Sequence, residues 1–120
     1  AEVWVDGGHN VSAGLALAKH FADYPAGSID LVIGMLANKD PAAIIVPLQE
    51  KLASLTVIPI PGHESHALED FPEVDAPAAA ASDITAALQS LRLGPGKTAL
   101  IAGSLYLAGE VLKANEQVPD

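Results

Sequence analysis

The run Ile29-Asp30-Leu31-Val32-Ile33-Gly34-Met35-Leu36 restricts the fold more than any other stretch of this chain. A strand with one wet face alternates apolar and polar residues. A run that hardly alternates belongs to a strand covered on both faces, as in a parallel sheet between helices. Three more short apolar runs accompany it: Val3 to Val5, Thr56-Val57-Ile58-Pro59-Ile60, and Thr98 to Ala102. Pro59 marks the third as near an edge or ending, because proline cannot donate to a ladder. Between these runs the apolar period becomes helical. Val11, Leu15, Ala18 and Ala22 follow i, i+4, i+7, i+11 after Asn10, a candidate N-cap. Pro25 and Gly27 close that helix. Asp40-Pro41 reads as N-cap and N1 of a second helix, with Leu48, Leu52 and Leu55 continuing its stripe and Pro47 forcing a kink or restart. Ser82-Asp83 opens a third, with Ile84, Ala87, Leu88 and Leu91 on one face, and Gly94-Pro95-Gly96 stops it. Gly103-Ser104 opens a last helix with Leu107, Val111 and Leu112 inward. Residues 61–81, rich in proline and ending in alanines, fit no element. The expected architecture is α/β: one mostly parallel sheet with helices on both faces and right-handed crossovers.

Length and composition allow one domain with a real core: 120 residues, half of them hydrophobic, 22 of them alanine. Fifteen acidic against six basic side chains give a net charge of −9. Such a field repels nucleic acid and anionic membrane, and the six cations are dispersed along the chain. No run approaches the roughly 18 apolar residues of a membrane span. With no cysteine there is no disulfide or thiol chemistry, which suits the cytoplasm. The chain starts at Ala1 and enters a strand at once, which we read as a piece of a longer protein.

In parallel sheets ligands bind beyond the carboxyl ends of the strands. Four turns fall there: Asp6–Asn10, Ala37–Asp40, Pro61–His66 and Gly103–Tyr106. Asp6-Gly7-Gly8-His9-Asn10 joins a carboxylate, two glycines and an imidazole at a strand-to-helix turn. That combination suits ribose hydroxyls and an anion at the helix N-terminus, or simply a tight turn capped by Asn10. Lys39 can meet a phosphate or acyl phosphate, or be a loop lysine beside a helix cap. Ser104 can bind a carboxylate or serve as an N-cap. Two near-motifs fail. Gly94-Pro95-Gly96-Lys97-Thr98 has Leu91 where a P-loop needs glycine, and its helix precedes the strand. His63-Glu64-Ser65-His66 lacks the histidine at 67 that a zinc helix needs, leaving a weak metal pair or a solvated loop. No serine sits in a nucleophile elbow.

Taken together, Asp6-Gly7-Gly8-His9-Asn10, Gly34-Met35-Leu36-Ala37-Asn38-Lys39-Asp40 and the segment from Gly103-Ser104-Leu105-Tyr106 to Leu112 resemble the C-terminal domain of bifunctional folylpolyglutamate synthase/dihydrofolate synthase. That family lies within the Mur ligase superfamily. The resemblance implies a Rossmann-like Mur ligase C-terminal domain over residues 1–120, working with a P-loop domain that precedes it in a longer chain. It implies ATP and magnesium as cofactors, and L-glutamate and a pterin or folate as substrates. The folate-side carboxylate is activated as an acyl phosphate, which the glutamate amine then attacks. The candidate set becomes His9 and Lys39 for catalysis, Asp6, His9 and Asn10 for the nucleotide, and Ser104 and Tyr106 for the substrate, with no metal ligand. The 120-residue chain alone is expected to be inactive. A peptidoglycan Mur ligase shares the expected fold, and a non-catalytic α/β binding module is the alternative of another class. The sequence departs from the family pattern at Val11, where proline is usual, and in a segment 68–82 that is short for the usual helix, turn and strand.

Overall fold

The computed structural model describes residues 2–6, 11–91 and 96–102. Among these residues five strands form one sheet: β1 (Glu2–Asp6), β2 (Ile29–Ile33), β3 (Leu52–Val57), β4 (Ala78–Ala80) and β5 (Thr98–Ala102). Their order across the sheet is β1-β5-β2-β3-β4, and every neighbouring pair is parallel. Among the described residues three α-helices connect them: α1 (Val11–His20), α2 (Ala42–Leu48) and α3 (Ile84–Leu91).

The two faces of the sheet carry opposite sets of side chains, as the strand period requires. Leu31, Ile33, Leu55, Val57 and Leu100 bury with Leu17 of α1, Phe21 just past its end, and Ile44, Ile45 and Leu48 of α2. Val32 and Ile101 face the other way, into Ile84 and Ala87 of α3. Helices therefore cover both faces, and β2 and β5 are buried along their whole lengths. The expected α/β architecture is the observed one.

Several expectations need correction. The buried positions of α1 are Gly14 and Leu17, continued by Phe21 just past its end, while Leu15 is 60% exposed. The reason is the approach of α2: a Cβ on Gly14 would lie 2.0 Å from the Ala43 carbonyl oxygen, so only glycine lets the helices touch there. The second helix does not continue to Leu55. It ends at Leu48, one residue after Pro47, and restarts as a 3₁₀ turn, Gln49–Lys51. Leu52 and Leu55 already belong to β3. Between Ile29 and Asp30 the β2–β3 register jumps from Leu52 to Ser54, so Ala53 is an extra residue. That bulge lets Leu52 and Leu55, three apart, enter the same core. β3 is not itself the edge but the neighbour of the edge strand, and it ends at Val57, two residues before Pro59, as that proline suggested. The unassigned segment supplies the real edge, β4, whose three alanines are all exposed. Ahead of it the segment 68–82 holds only a 3₁₀ turn, Leu68–Asp70.

Two expected caps are present. The Asp40 carboxylate accepts the Ala42 N–H at 3.0 Å, leaving Pro41 in the position where a missing N–H costs nothing. Asp83 accepts the Ala86 N–H at 2.8 Å. Gly96, with φ +81°, turns the chain into β5, while Gly94 and Pro95 lie outside the described residues.

Candidate functional site at the carboxyl rim

Because all five strands run the same way, their last residues define one rim. The register aligns them closely: Asp6 pairs with Ala102, Ala102 with Ile33, and Ile33 with Val57, with Val57 paired to Ala80. Asp6 is thus the last residue of β1 at the same level as the end of β2, whose following loop carries Lys39. The backbone places Asp6 and the Lys39 loop at the same edge of the sheet, two strands apart in lateral order. His9, Asn10, Ser104 and Tyr106 lie outside the described residues. β5, which leads to Ser104 and Tyr106, also ends at this rim, at Ala102.

Two loops shape the rim beyond β2 and β3. Leu36 and Ser65 form an antiparallel bridge, and Ala37 N–H donates to the Glu64 carbonyl at 3.0 Å. His66 N–H donates to the Met35 carbonyl at 2.8 Å. Ser65 Oγ accepts the Ile60 N–H at 3.2 Å, and Gly62, at φ +79°, makes the tight turn between them. The His66 ring then reaches back, with Nε2 2.6 Å from the Lys39 carbonyl oxygen. Its Nδ1 is 3.5 Å from Asp70 Oδ2, which also accepts the Ala67 N–H at 2.9 Å. Lys39 N–H donates to the Leu36 carbonyl at 3.0 Å, so both backbone polar groups of Lys39 are occupied. Its side chain sits half-buried at the rim. A cleft of about 350 Å³ opens beside this loop pair, lined by Ile58, Ser65, His66, Leu68, Glu69 and Ala81.

His63 and His66, read from sequence as a weak metal pair or a solvated loop, have different surroundings. His63 is exposed, while His66 bonds the Lys39 loop. Among the described residues no three His, Asp or Glu side chains come together as a metal would need. Spacing could not have revealed the role of His66, because its partner lies 27 residues away. Among the described residues no helix is long and apolar enough to cross a membrane.

A parallel sheet of this order with helices on both faces defines a doubly covered α/β domain, a class of sheet whose ligands generally bind at the carboxyl rim. The same fold occurs in solved folylpolyglutamate synthases. A bifunctional folylpolyglutamate synthase/dihydrofolate synthase from Yersinia pestis, complexed with AMPPNP and a manganese ion, superposes with a TM-score of 0.81 at 23% identity. It matches 97% of this chain and 30% of its own. E. coli FolC with DHPP and ADP gives 0.80 at 22% identity, over 98% and 30%. The Mycobacterium tuberculosis folylpolyglutamate synthase complexed with ADP and AMPPCP gives 0.78 at 20% identity, over 98% and 30%. This chain therefore spans about 30% of the length of the structures it matches. No protein-family model matches it, and no curated protein sequence does. The resemblance read from three sequence motifs and the likeness of the whole fold point to the same enzymes.

Proposed function

We propose that this chain is the C-terminal domain of an ATP-dependent ligase that joins L-glutamate to dihydropteroate, to tetrahydrofolate polyglutamate tails, or to both. The observation that carries this reading is the fold likeness, which spans nearly the whole chain and reaches enzymes holding ADP, AMPPCP or AMPPNP. The rim supports it, since the motif residues Asp6 and Lys39 lie at the one edge where such sheets take ligands.

ATP with magnesium supplies the phosphoryl group that activates the folate-side carboxylate, and the glutamate amine then forms the amide as phosphate departs. Within this domain the Asp6 carboxylate orients ribose hydroxyls, assisted by Asn10, and His9 stands beside the nucleotide. The Lys39 ammonium offsets negative charge on the transferring group, an effect felt mainly in the transition state. Ser104 and Tyr106 hold the substrate carboxylate. The donor set fits a contributory role: a single lysine at a rim loop cannot cradle a triphosphate, and the remaining cations are dispersed. Most phosphate and metal contacts belong, in this reading, to a P-loop domain of the same cytoplasmic protein.

The test is phosphate release from ATP that requires both L-glutamate and a folate acceptor. A longer gene product carrying a P-loop domain ahead of these residues is expected to show it, and the 120-residue chain alone to show none. Full-length protein that leaves ATP intact with every folate acceptor overturns the proposal.

A further inference from the structure

We infer that His66 is a positioning residue that holds Lys39 for the reaction proposed above; the inference rests on Lys39 acting in that reaction. A carbonyl oxygen can only accept, so the 2.6 Å contact requires the proton on His66 Nε2. The residue is itself held from three sides. Asp70 Oδ2 faces Nδ1 at 3.5 Å, the Phe71 ring meets it edge-on at 6.2 Å, and its backbone N–H is tied to Met35. Its partner is equally constrained. Lys39 is held at its N–H by Leu36 and at its carbonyl by His66. The next residue, Asp40, is locked by capping α2 through the Ala42 and Ala43 N–H groups. Only the lysine side chain keeps its freedom, so its ammonium starts from a fixed Cα. Removing the imidazole frees one end of that anchor while the cap of α2 and the Leu36–Ser65 bridge remain. A displacement of about 1 Å at a positioning group can cost on the order of 100-fold in rate.

The experiment has a spectroscopic and a kinetic arm. In the 120-residue chain, ring ¹⁵N shifts should show the His66 proton on Nε2. In the full-length ligase, His66→Ala should lower kcat about 10- to 100-fold with KM for ATP and glutamate changed less than about twofold. His66→Gln, whose amide nitrogen can take the Nε2 position, should recover most of that loss. If His66→Ala does not fold, His66→Asn, too short to reach the carbonyl, takes its place. The double variant Lys39→Ala/His66→Ala should be no slower than Lys39→Ala, because His66 acts through Lys39. An Nε2 without its proton, an unchanged kcat, or losses that multiply in the double variant overturn the inference and leave the ligase reading standing. Lys39→Ala with unchanged kinetics removes the role of Lys39, and this inference with it, whatever the ring spectrum shows.

Discussion

The two ends of the sheet are built from different bonds. At the amino end, side chains close the structure on itself. The Lys51 ammonium donates to the Ala22 and Tyr24 carbonyls beyond the end of α1, at 3.1 and 2.6 Å. Ser54 Oγ donates to the buried Asp30 carboxylate at 2.6 Å. The Glu2 carboxylate receives both the Trp4 indole N–H and the Tyr24 hydroxyl. At the carboxyl end, the side chains of Asp40, Ser65, His66, Asp70 and Asp83 bond chiefly to backbone groups of the loops and helix starts. His63 and Glu64 stay exposed there. Groups spent on closing an end are not free to meet a ligand, and groups left at a rim contribute little to stability. On the proposed reading, the side-chain pairs of the amino end serve stability, and the carboxyl rim keeps side chains such as Lys39 for chemistry.

The sharpest break of that comparison is Lys39→Ala. It removes an ammonium from the carboxyl rim but leaves the backbone bonds of residue 39 intact. In the full-length ligase kcat should fall about 100-fold, the loss typical of one preorganised charge donor. Unfolding free energy should move by less than about 0.5 kcal/mol. Denaturant melts beside glutamate-dependent phosphate release read both numbers. A melt shifted as strongly as the rate would make Lys39 a structural residue and erase the distinction between the ends.

Ser54→Ala is the converse at the amino end. Asp30 is only 8% exposed, and the serine hydroxyl donates to its carboxylate. A buried carboxylate deprived of a donor keeps its desolvation penalty, so about 2 kcal/mol of stability should be lost. Steady-state kinetics should be unchanged. Lys51→Met should cost somewhat less, roughly 1–2 kcal/mol. The stem still packs, but two carbonyls lose a charged donor at a half-buried site. Urea midpoints at constant m-value measure both variants. A loss of turnover in either, with the midpoint unmoved, would place chemistry at the wrong end.

This division was only partly legible in the sequence. The apolar run of β2, interrupted only by Asp30, made the parallel, doubly covered sheet readable, and parallel strands then forced Asp6 and Lys39 to one rim. Asp40-Pro41 and Ser82-Asp83 announced their helices through capping chemistry that is local. What failed was not local. β4 is three exposed alanines, a residue type without strand preference, and it pairs with β3 only because the chain returns there. The bulge at Ala53 gave Leu52 and Leu55 a helical spacing inside a strand. The burial of Gly14 instead of Leu15 is set by the Ala43 carbonyl on another helix. The Lys39–His66 and Asp30–Ser54 bonds join loops and strands 27 and 24 residues apart, and no periodicity encodes them.

The smallest effect expected at the amino end is a pH dependence from Glu2 and Tyr24. Donation from the Tyr24 hydroxyl, and next from the Trp4 indole, holds the Glu2 carboxyl below its ordinary 4.5. The same bond to Glu2 holds the Tyr24 phenol above its ordinary 10.0. The signs follow from linkage. The folded state favours ionised Glu2, so that contribution is complete above about pH 4.5 and disappears as pH falls through the lowered folded value. It also favours protonated Tyr24, so that contribution is complete below about pH 10 and disappears as pH rises through the raised folded value. One hydrogen bond produces both, and both groups are solvent-exposed, so the effect on stability is small. Tyr24→Phe removes the donor and should be slightly less stable than the parent chain by a constant margin between about pH 5 and pH 9. The margin should narrow toward both extremes. Chemical denaturation of the two chains across that range measures it. A margin that instead widens at low pH would mean that the bond stabilises protonated Glu2, and would remove Glu2 and Tyr24 from the bonds that close the amino end.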